Sequence, residues 1–383
     1  MKIGILCYPT YGGSGIVATE LGMSLANKGY EVHFISSALP ARLDITNPNI
    51  FFHKVNVQTY PLFQYQPYDI ALSSMIYRVV NLYKLDLLHA HYAIPYAYAA
   101  FTAKQMLQQD NNDVPLVTTL HGTDITLVGQ HPSYKHAVEF SINQSDVITS
   151  VSESLKKDTL QFFNIKKEIQ VITNFIDNSE FEYHNDCQRT QFASEDEKIL
   201  IHVSNLRPVK RIEEVLQIFK NVEKKVKSRL IIIGEGPDME KVSQFLEENP
   251  ELISKIRLLG KVNDLYRILQ LSDVFLLPSE QESFGLAALE AMAAYTPVVS
   301  SNAGGIPEVN IQGVTGFLAE IGNVEAMSNY TIKILSNEDL LAEMKINAKQ
   351  QANKFDLKNI LPIYEEMYKT AISNFKTDAV KAE

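Results

Sequence analysis

Two glutamates, Glu282 and Glu290, stand eight positions apart in the run Glu282-Ser283-Phe284-Gly285-Leu286-Ala287-Ala288-Leu289-Glu290. The apolar stretch Val274–Leu277 before them reads as a strand, which puts Glu282 on a strand-to-helix loop and Glu290 within the following helix. Eight residues of helix would span about 12 Å, too far for one acid/base pair. That spacing suits one carboxylate at a sugar and the other at a ribose, with a helix N-terminus between them. The N–H groups of Ser283, Phe284, Gly285 and Leu286 would lack intrahelical acceptors there, and the helix dipole favours a diphosphate. Gly285 permits close backbone approach. The same two acids also read as ordinary helix-start residues.

Three further clusters could do chemistry. Asn205-Leu206-Arg207-Pro208-Val209-Lys210-Arg211 leads from a strand into a helix. Cations at a helix entry oppose its dipole, so this run asks for an anion, or else is a solvated basic turn. His121-Gly122-Thr123-Asp124 ends the apolar run Leu116–Leu120. A histidine at the carboxyl end of a strand faces the crevice where α/β sheets bind ligands, unless it is a satisfied core histidine. Gly12-Gly13-Ser14-Gly15 follows the first strand, and Gly13-x-Gly15-x-x-Ala18 satisfies a dinucleotide fingerprint. The second strand ends Phe34-Ile35-Ser36-Ser37, without the acid that would hold an NAD ribose. A tight structural turn, or a loop for a diphosphate or an acceptor, remains. His89-Ala90-His91 has metal-ligand spacing, but no third ligand cluster and no Asp-x-Asp motif accompanies it, so no metal is expected.

The elements that must position these residues follow a rhythm of short β-branched runs and longer helical patterns, repeated twice. Strands are expected at Lys2–Cys7, Glu31–Ser36, Phe52–Val57, Leu87–His91, Leu116–Leu120, Val147–Val151 and Ile169–Ile172, with helices near 16–28, 69–83 and 95–108. A polar stretch interrupts the pattern, which restarts with strands at Lys198–Val203, Leu230–Ile233, Ile256–Leu259, Val274–Leu277 and Val298–Ser300. Near-continuous apolar strands between helices imply parallel sheets covered on both faces. The expected organisation is a Rossmann-like domain over 1–178, a linker over 179–197, a second Rossmann-like domain over 198–356, a helix over 357–376 and a frayed tail over 377–383. The segment 340–375 reads as helical throughout, its stripe Ile360, Leu361, Tyr364, Met367, Tyr368 and Ile372 wide enough to pack on another domain.

Composition narrows the class of function. The 383 residues carry a net charge of −10, which disfavours nucleic acid. The largest basic cluster, Lys224, Lys225, Lys227 and Arg229, reads as a solvated helix end. No run approaches the length of a membrane span, and the first residues lack the apolar core of a signal peptide. Two cysteines, Cys7 and Cys187, make no disulfide framework. A cytoplasmic enzyme without stable membrane association is the expectation. The apolar faces of helices 69–83 and 95–108 leave homo-oligomerisation open.

The Glu-x7-Glu pattern of Glu282 and Glu290 resembles that of the retaining glycosyltransferases of family 4, which share the two-domain GT-B fold. Gly234-Glu235-Gly236-Pro237, Asn302-Ala303-Gly304-Gly305-Ile306-Pro307-Glu308 and Gly313-Val314-Thr315-Gly316-Phe317-Leu318 are similar to that family's motifs, and the resemblance runs from Gly12 to about Tyr368. It implies an α/β chain of two Rossmann-like domains facing across a deep cleft, with the C-terminal helix packed back on the first. It implies that Glu290 holds ribose hydroxyls and Glu282 and His121 contact the donor sugar. By the same resemblance the Ser283–Leu286 amides and Lys210 serve the diphosphate, and Val262 presents backbone to uracil. The family usually carries Gly-Arg where this chain has Ser204-Asn205, which leaves open whether Arg207 takes the missing arginine's place. The runs CYPTYGGSGIVATELG, HAHYAIP, TTLHGTDIT and HVSNLRPVKR resemble one subgroup, whose donor is UDP-N-acetylglucosamine and whose acceptor is L-malate, in the first step of bacillithiol synthesis. No cofactor is implied beyond the donor substrate. A dicarboxylate acceptor needs cations or several hydrogen-bond donors, and Tyr92, Thr123, Asn174, Arg42 and Lys135 are the first-domain candidates. Without a second carboxylate near Glu282 to serve as nucleophile, same-face transfer is expected over a covalent intermediate. The alternatives are another acceptor, such as inositol phosphate or a surface polymer, or a nucleotide-sugar epimerase or hydrolase of the same fold.

Overall fold

The computed structural model describes residues 1–181, 189–262 and 264–382, with side chains to 377. Cys187 and part of the expected linker lie outside the described residues. The chain divides into two units, Met1–Asn174 with Lys358–Glu383, and Phe175–Leu357.

The first unit is built on seven parallel strands: β1 (Lys2–Leu6), β2 (Glu31–Ser36), β3 (Ile50–Lys54), β4 (Leu87–His91), β5 (Leu116–Leu120), β6 (Val147–Ser150) and β7 (Ile169–Val171), in the order β3-β2-β1-β4-β5-β6-β7. β4 and β5 are buried along their whole length because helices cover both faces of the sheet. Leu6, Ile35, Leu72, Ile76, Leu88, Ala100 and Leu116 form the core on one face. Each leucine or isoleucine among them contributes roughly 1.5–3 kcal/mol on burial. β3 lies two residues earlier than the sequence suggests, because its register against β2 runs from Val32↔Ile50 to Ser36↔Lys54.

The second unit repeats the plan with β8 (Lys198–Val203), β9 (Ser228–Ile233), β10 (Ile256–Leu258), β11 (Val274–Leu277), β12 (Val298–Ser301) and β13 (Gly316–Ala319), ordered β10-β9-β8-β11-β12-β13. Leu200, Leu216, Phe219, Leu230, Leu276 and Val299 belong to its core.

The segment expected to be helical throughout is two helices, Glu338–Ala352 and Leu357–Ala382, the second beginning where the helix over 357–376 was expected to start. They part where the Ile176 N–H donates to the Phe355 carbonyl at 3.1 Å and the Leu357 N–H donates to Ile176 at 2.8 Å, drawing those groups out of the helical pattern. The last helix packs on the first unit. Tyr364 and Tyr368 are fully buried, and Glu365 takes Lys28 at 2.5 Å and the Tyr30 hydroxyl at 2.9 Å.

Candidate active site

In an open parallel sheet the crevice forms outside the carboxyl ends of two strands whose connections leave in opposite directions. In the second unit those strands are β8 and β11. The loop after β8 carries Asn205, Arg207 and Lys210, and the loop after β11 carries Glu282. The two loops are joined backbone to backbone, the Glu280 N–H donating to Val209 O at 2.8 Å. Across this junction Lys210 Nζ meets Glu282 Oε1 at 2.5 Å, with both side chains largely shielded from water. Arg211, the next cation, is held by Glu214 and lies 3.5 Å from Glu280. Asn205 and Arg207 are exposed on the same loop.

Neighbouring backbone fixes this pair in place. The Gly305 N–H donates to Glu282 O at 2.9 Å, and Gly304 sits at φ +52 with a Cβ position only 2.1 Å from that same oxygen. Any side chain at 304 would displace the loop that carries Glu282. Gly236 does the same for the other loop, where a Cβ would fall 1.9 Å from Asn205 O. The glycines of two sequence motifs are therefore the backs against which the two loops rest.

Past Glu282 the chain turns at Gly285, φ +94, and enters the helix Leu286–Ala293 that bears Glu290. Phe284 is buried, its ring edge-on to Phe355 with centroids 5.5 Å apart, while Ser283 and Leu286 are partly open. Val262 is half-buried beyond β10 and Gly260.

His202, in β8, is a residue that sequence reasoning missed. Its Nδ1–H donates to the Leu276 carbonyl at 2.9 Å, which leaves Nε2 to accept from the Ser204 hydroxyl at 2.8 Å, and Ser204 Oγ accepts the Leu206 N–H at 3.1 Å. This chain of bonds anchors the start of the Lys210 loop, and burial lowers the His202 pKa to about 4. A histidine inside an otherwise apolar strand was the available signal.

In the first unit β1 and β4 form the corresponding junction, with β5 beyond. Gly13 and Ser14 open the helix Gly13–Asn27, and Gly15 is buried where a Cβ would strike Thr10 O at 2.3 Å. Tyr92 follows β4 at φ +93, a backbone conformation rare for a side chain of its size. Its ring lies 5.2 Å from that of His121 and 5.3 Å from that of Tyr8. The turn after β5 is held by Asp124, which accepts N–H groups from Ala93 at 2.9 Å, Gly122 at 3.0 Å and His121 at 3.3 Å. Burial outweighs these bonds and raises the Asp124 pKa to about 6, and burial lowers that of His121 to about 3.

The remaining acceptor candidates are dispersed. Thr123 is half-buried within the Asp124 turn, and Arg42 holds Glu20 at 2.9 Å. Asn174 is buried beyond β7, and its side-chain oxygen has no hydrogen-bond partner among the described residues. Lys135 is exposed on the helix Pro132–Gln144 and makes no hydrogen bond or ion pair with the other candidates among the described residues.

His89 and His91 point into protein. His89 bonds the Tyr368 hydroxyl and Thr119, each at 2.7 Å, and His91 bonds His121 at 2.9 Å. Among the described residues no group of three or more His, Cys, Asp or Glu is placed to hold a metal, and no helix is long and apolar enough to cross a membrane.

The chain is similar to known proteins in sequence and in fold. A profile described as Glycosyltransferase Family 4 matches residues 11–180, and one described as Glycosyl transferases group 1 matches 185–351. The N-acetyl-alpha-D-glucosaminyl L-malate synthase of Bacillus anthracis is 43% identical over 383 residues, covering 99% of this chain and 100% of that one. Among solved structures, a sucrose-phosphate synthase from Thermosynechococcus elongatus superposes with a TM-score of 0.82 at 18% identity, over 98% of this chain and 100% of the other. HepE of Anabaena, in complex with UDP-glucose, superposes with a TM-score of 0.79 at 20% identity, over 97% and 100%. The likeness to these structures extends over nearly the whole of each chain, which is the GT-B fold. With that fold and a relative matched from end to end, the chain belongs to the family 4 glycosyltransferases.

Proposed function

We propose that the protein transfers N-acetylglucosamine from UDP-N-acetylglucosamine to the hydroxyl of L-malate with retention of configuration, the step that opens bacillithiol synthesis. The observation that carries this reading is the end-to-end match to the Bacillus anthracis enzyme. The Lys210–Glu282 pair at the β8/β11 junction supports it, because that is where a sugar nucleotide would meet both a cation and a carboxylate.

In this reading the diphosphate takes Lys210, with Arg207 and Asn205 on the same loop, and lies toward the Ser283–Leu286 amides ahead of the helix. Glu282, released from Lys210, turns to the sugar hydroxyls, Glu290 holds the ribose, and Val262 borders the base. In the first unit, Gly13, Ser14 and Gly15 present backbone to the donor, His121 reaches its sugar, and Tyr92 and Thr123 flank the acceptor. Asn174, Arg42 and Lys135 complete the set of acceptor candidates. The malate oxygen bonds to the anomeric carbon as the bond from that carbon to the diphosphate breaks. The electron pair leaves with the diphosphate, and the hydroxyl proton passes to a phosphate oxygen. Lys210 and the helix N-terminus stabilise the departing charge electrostatically, so no cation is required. The reaction belongs to the cytoplasm, where UDP-sugar and malate are both available.

Product configuration tests the mechanism. Turnover in EDTA is expected to yield α-linked product at the rate seen without chelator. A β-linked product, a glycosyl-enzyme trapped on Glu282, or activity lost in EDTA and restored by a divalent ion would contradict it.

A further inference from the structure

His91 and His121 close adjacent strands, β4 and the end of β5, and their rings lie side by side with centroids 5.1 Å apart. Nδ1 of His91 and Nε2 of His121 are 2.9 Å apart, so a single proton lies between them. His91 is wholly buried, and its other nitrogen, Nε2, has no hydrogen-bond partner among the described residues. Burial keeps both rings neutral, and a neutral imidazole carries one proton on one nitrogen.

Two arrangements satisfy the contact. If His121 donates from Nε2, His91 must accept at Nδ1 and carry its own proton on Nε2, a buried N–H with nothing to receive it. If His91 donates from Nδ1, its Nε2 is a bare lone pair, and His121 carries its proton on Nδ1. Orphaned buried N–H groups are rarer in folded proteins than under-used acceptors, which selects the second arrangement.

We infer that His91 is a positioning residue that holds His121 in the tautomer protonated on Nδ1, so that His121 meets its ligand as a hydrogen-bond donor and not as a base. This rests on the proposal that His121 faces the donor sugar, and it narrows what His121 does there. A ring with Nε2 occupied by His91 and Nδ1 already protonated cannot take the acceptor's proton, which leaves that role to the leaving phosphate. His91 was singled out in the sequence only for its spacing from His89, and the contact across two strands gives it a different use.

The tautomers are read directly in the full-length protein labelled with 15N-histidine, from long-range 15N–1H correlations of the imidazoles without substrate. His91→Asn and His121→Asn spectra supply the assignments. The expected result is a proton on Nδ1 and a bare Nε2 in both rings. A proton on Nε2 of His121, or an imidazolium at neutral pH, overturns the inference. Kinetics then test positioning. His91→Leu should lower kcat by about tenfold to a hundredfold, the scale of losing a group that orients a site residue, with KM for the donor little changed. His91→Asn, which keeps an amide N–H near the Nδ1 position, should recover most of it. Equal losses in both variants, tracking a common fall in Tm, would make His91 merely structural. Because the spectra need no turnover, a wild-type protein inactive toward malate would defeat the functional proposal and leave the tautomer result standing.

Discussion

Lys210 and Glu282, the two candidates on which the proposed donor site rests, are paired with each other in the free protein. Each is the other's counter-ion at 2.5 Å, so neither charge is left unpaired in the free protein. Under the proposed function, donor binding exchanges that contact for a diphosphate on one side and sugar hydroxyls on the other. If Lys210 serves the diphosphate as proposed, Lys210→Ala removes charge stabilisation that matters most as that group leaves. Steady-state kinetics should show kcat lower by about 10²–10³, comparable to deleting one preorganised donor from an oxyanion site. A loss confined to KM would mean that Lys210 binds donor and transition state alike. The places of Glu282 and Lys210 on strand-to-helix loops were visible in the sequence as candidates, because such loops of parallel sheets follow apolar strand runs. Their pairing was not, since seventy-two positions separate them. The same limit hid His202 and the His91–His121 contact, which exist only once adjacent strands are in register.

The loops that hold these residues are themselves held by glycines on neighbouring elements. Gly304→Ala would place a methyl group 2.1 Å from Glu282 O at a positive φ, and the loop after β11 would have to move. A fall in stability of about 1–3 kcal/mol is expected in denaturant titration, the scale of a strained backbone position, together with a loss of activity. Unchanged stability would show that the loop after β12 yields at little cost. The C-terminal helix offers a second case. Tyr368→Phe deletes the hydroxyl at 2.7 Å from the buried His89 and leaves that ring nitrogen without a partner, a cost of about 1–3 kcal/mol by the same measurement.

Most strands were legible as apolar runs bounded by turns. β13 was not, because its four residues open with Gly316 and follow the turn at Gly313 too closely to stand out as a strand. The helices Pro132–Gln144 and Glu153–Phe162 were also missed, since they bury only a few positions each and their sequences are largely polar. A boundary at 356/357 was expected from the sequence, but the turn that parts Ala352 from Leu357 was not. It depends on Ile176, far away in the chain.

At the scale of the whole molecule, the buried and half-buried histidines set a pH limit. Burial lowers His202 and His53 to about 4 and His89 and His121 to about 3, so the folded protein keeps these rings neutral where the unfolded chain, near 6.5, would protonate them. The unfolded state then binds more protons, and stability must fall as pH drops from about 6.5 toward 4. Asp124, raised to about 6, has the opposite sign and favours the folded state as pH falls through that range. Four histidines outweigh one aspartate, and Glu197, lowered to about 2, adds to the loss below about 4.5. Melting temperatures measured from pH 7 to pH 4 should decline steadily, and a flat or rising profile would mean the rings are charged in the folded state.

The identity of the acceptor is tested most directly by UDP release from UDP-N-acetylglucosamine with and without L-malate, with the product weighed by mass spectrometry. Release that depends on malate, with a product of N-acetylglucosaminyl malate mass, is the predicted result. Equal release without malate, or release supported by another acceptor and not by malate, would contradict it.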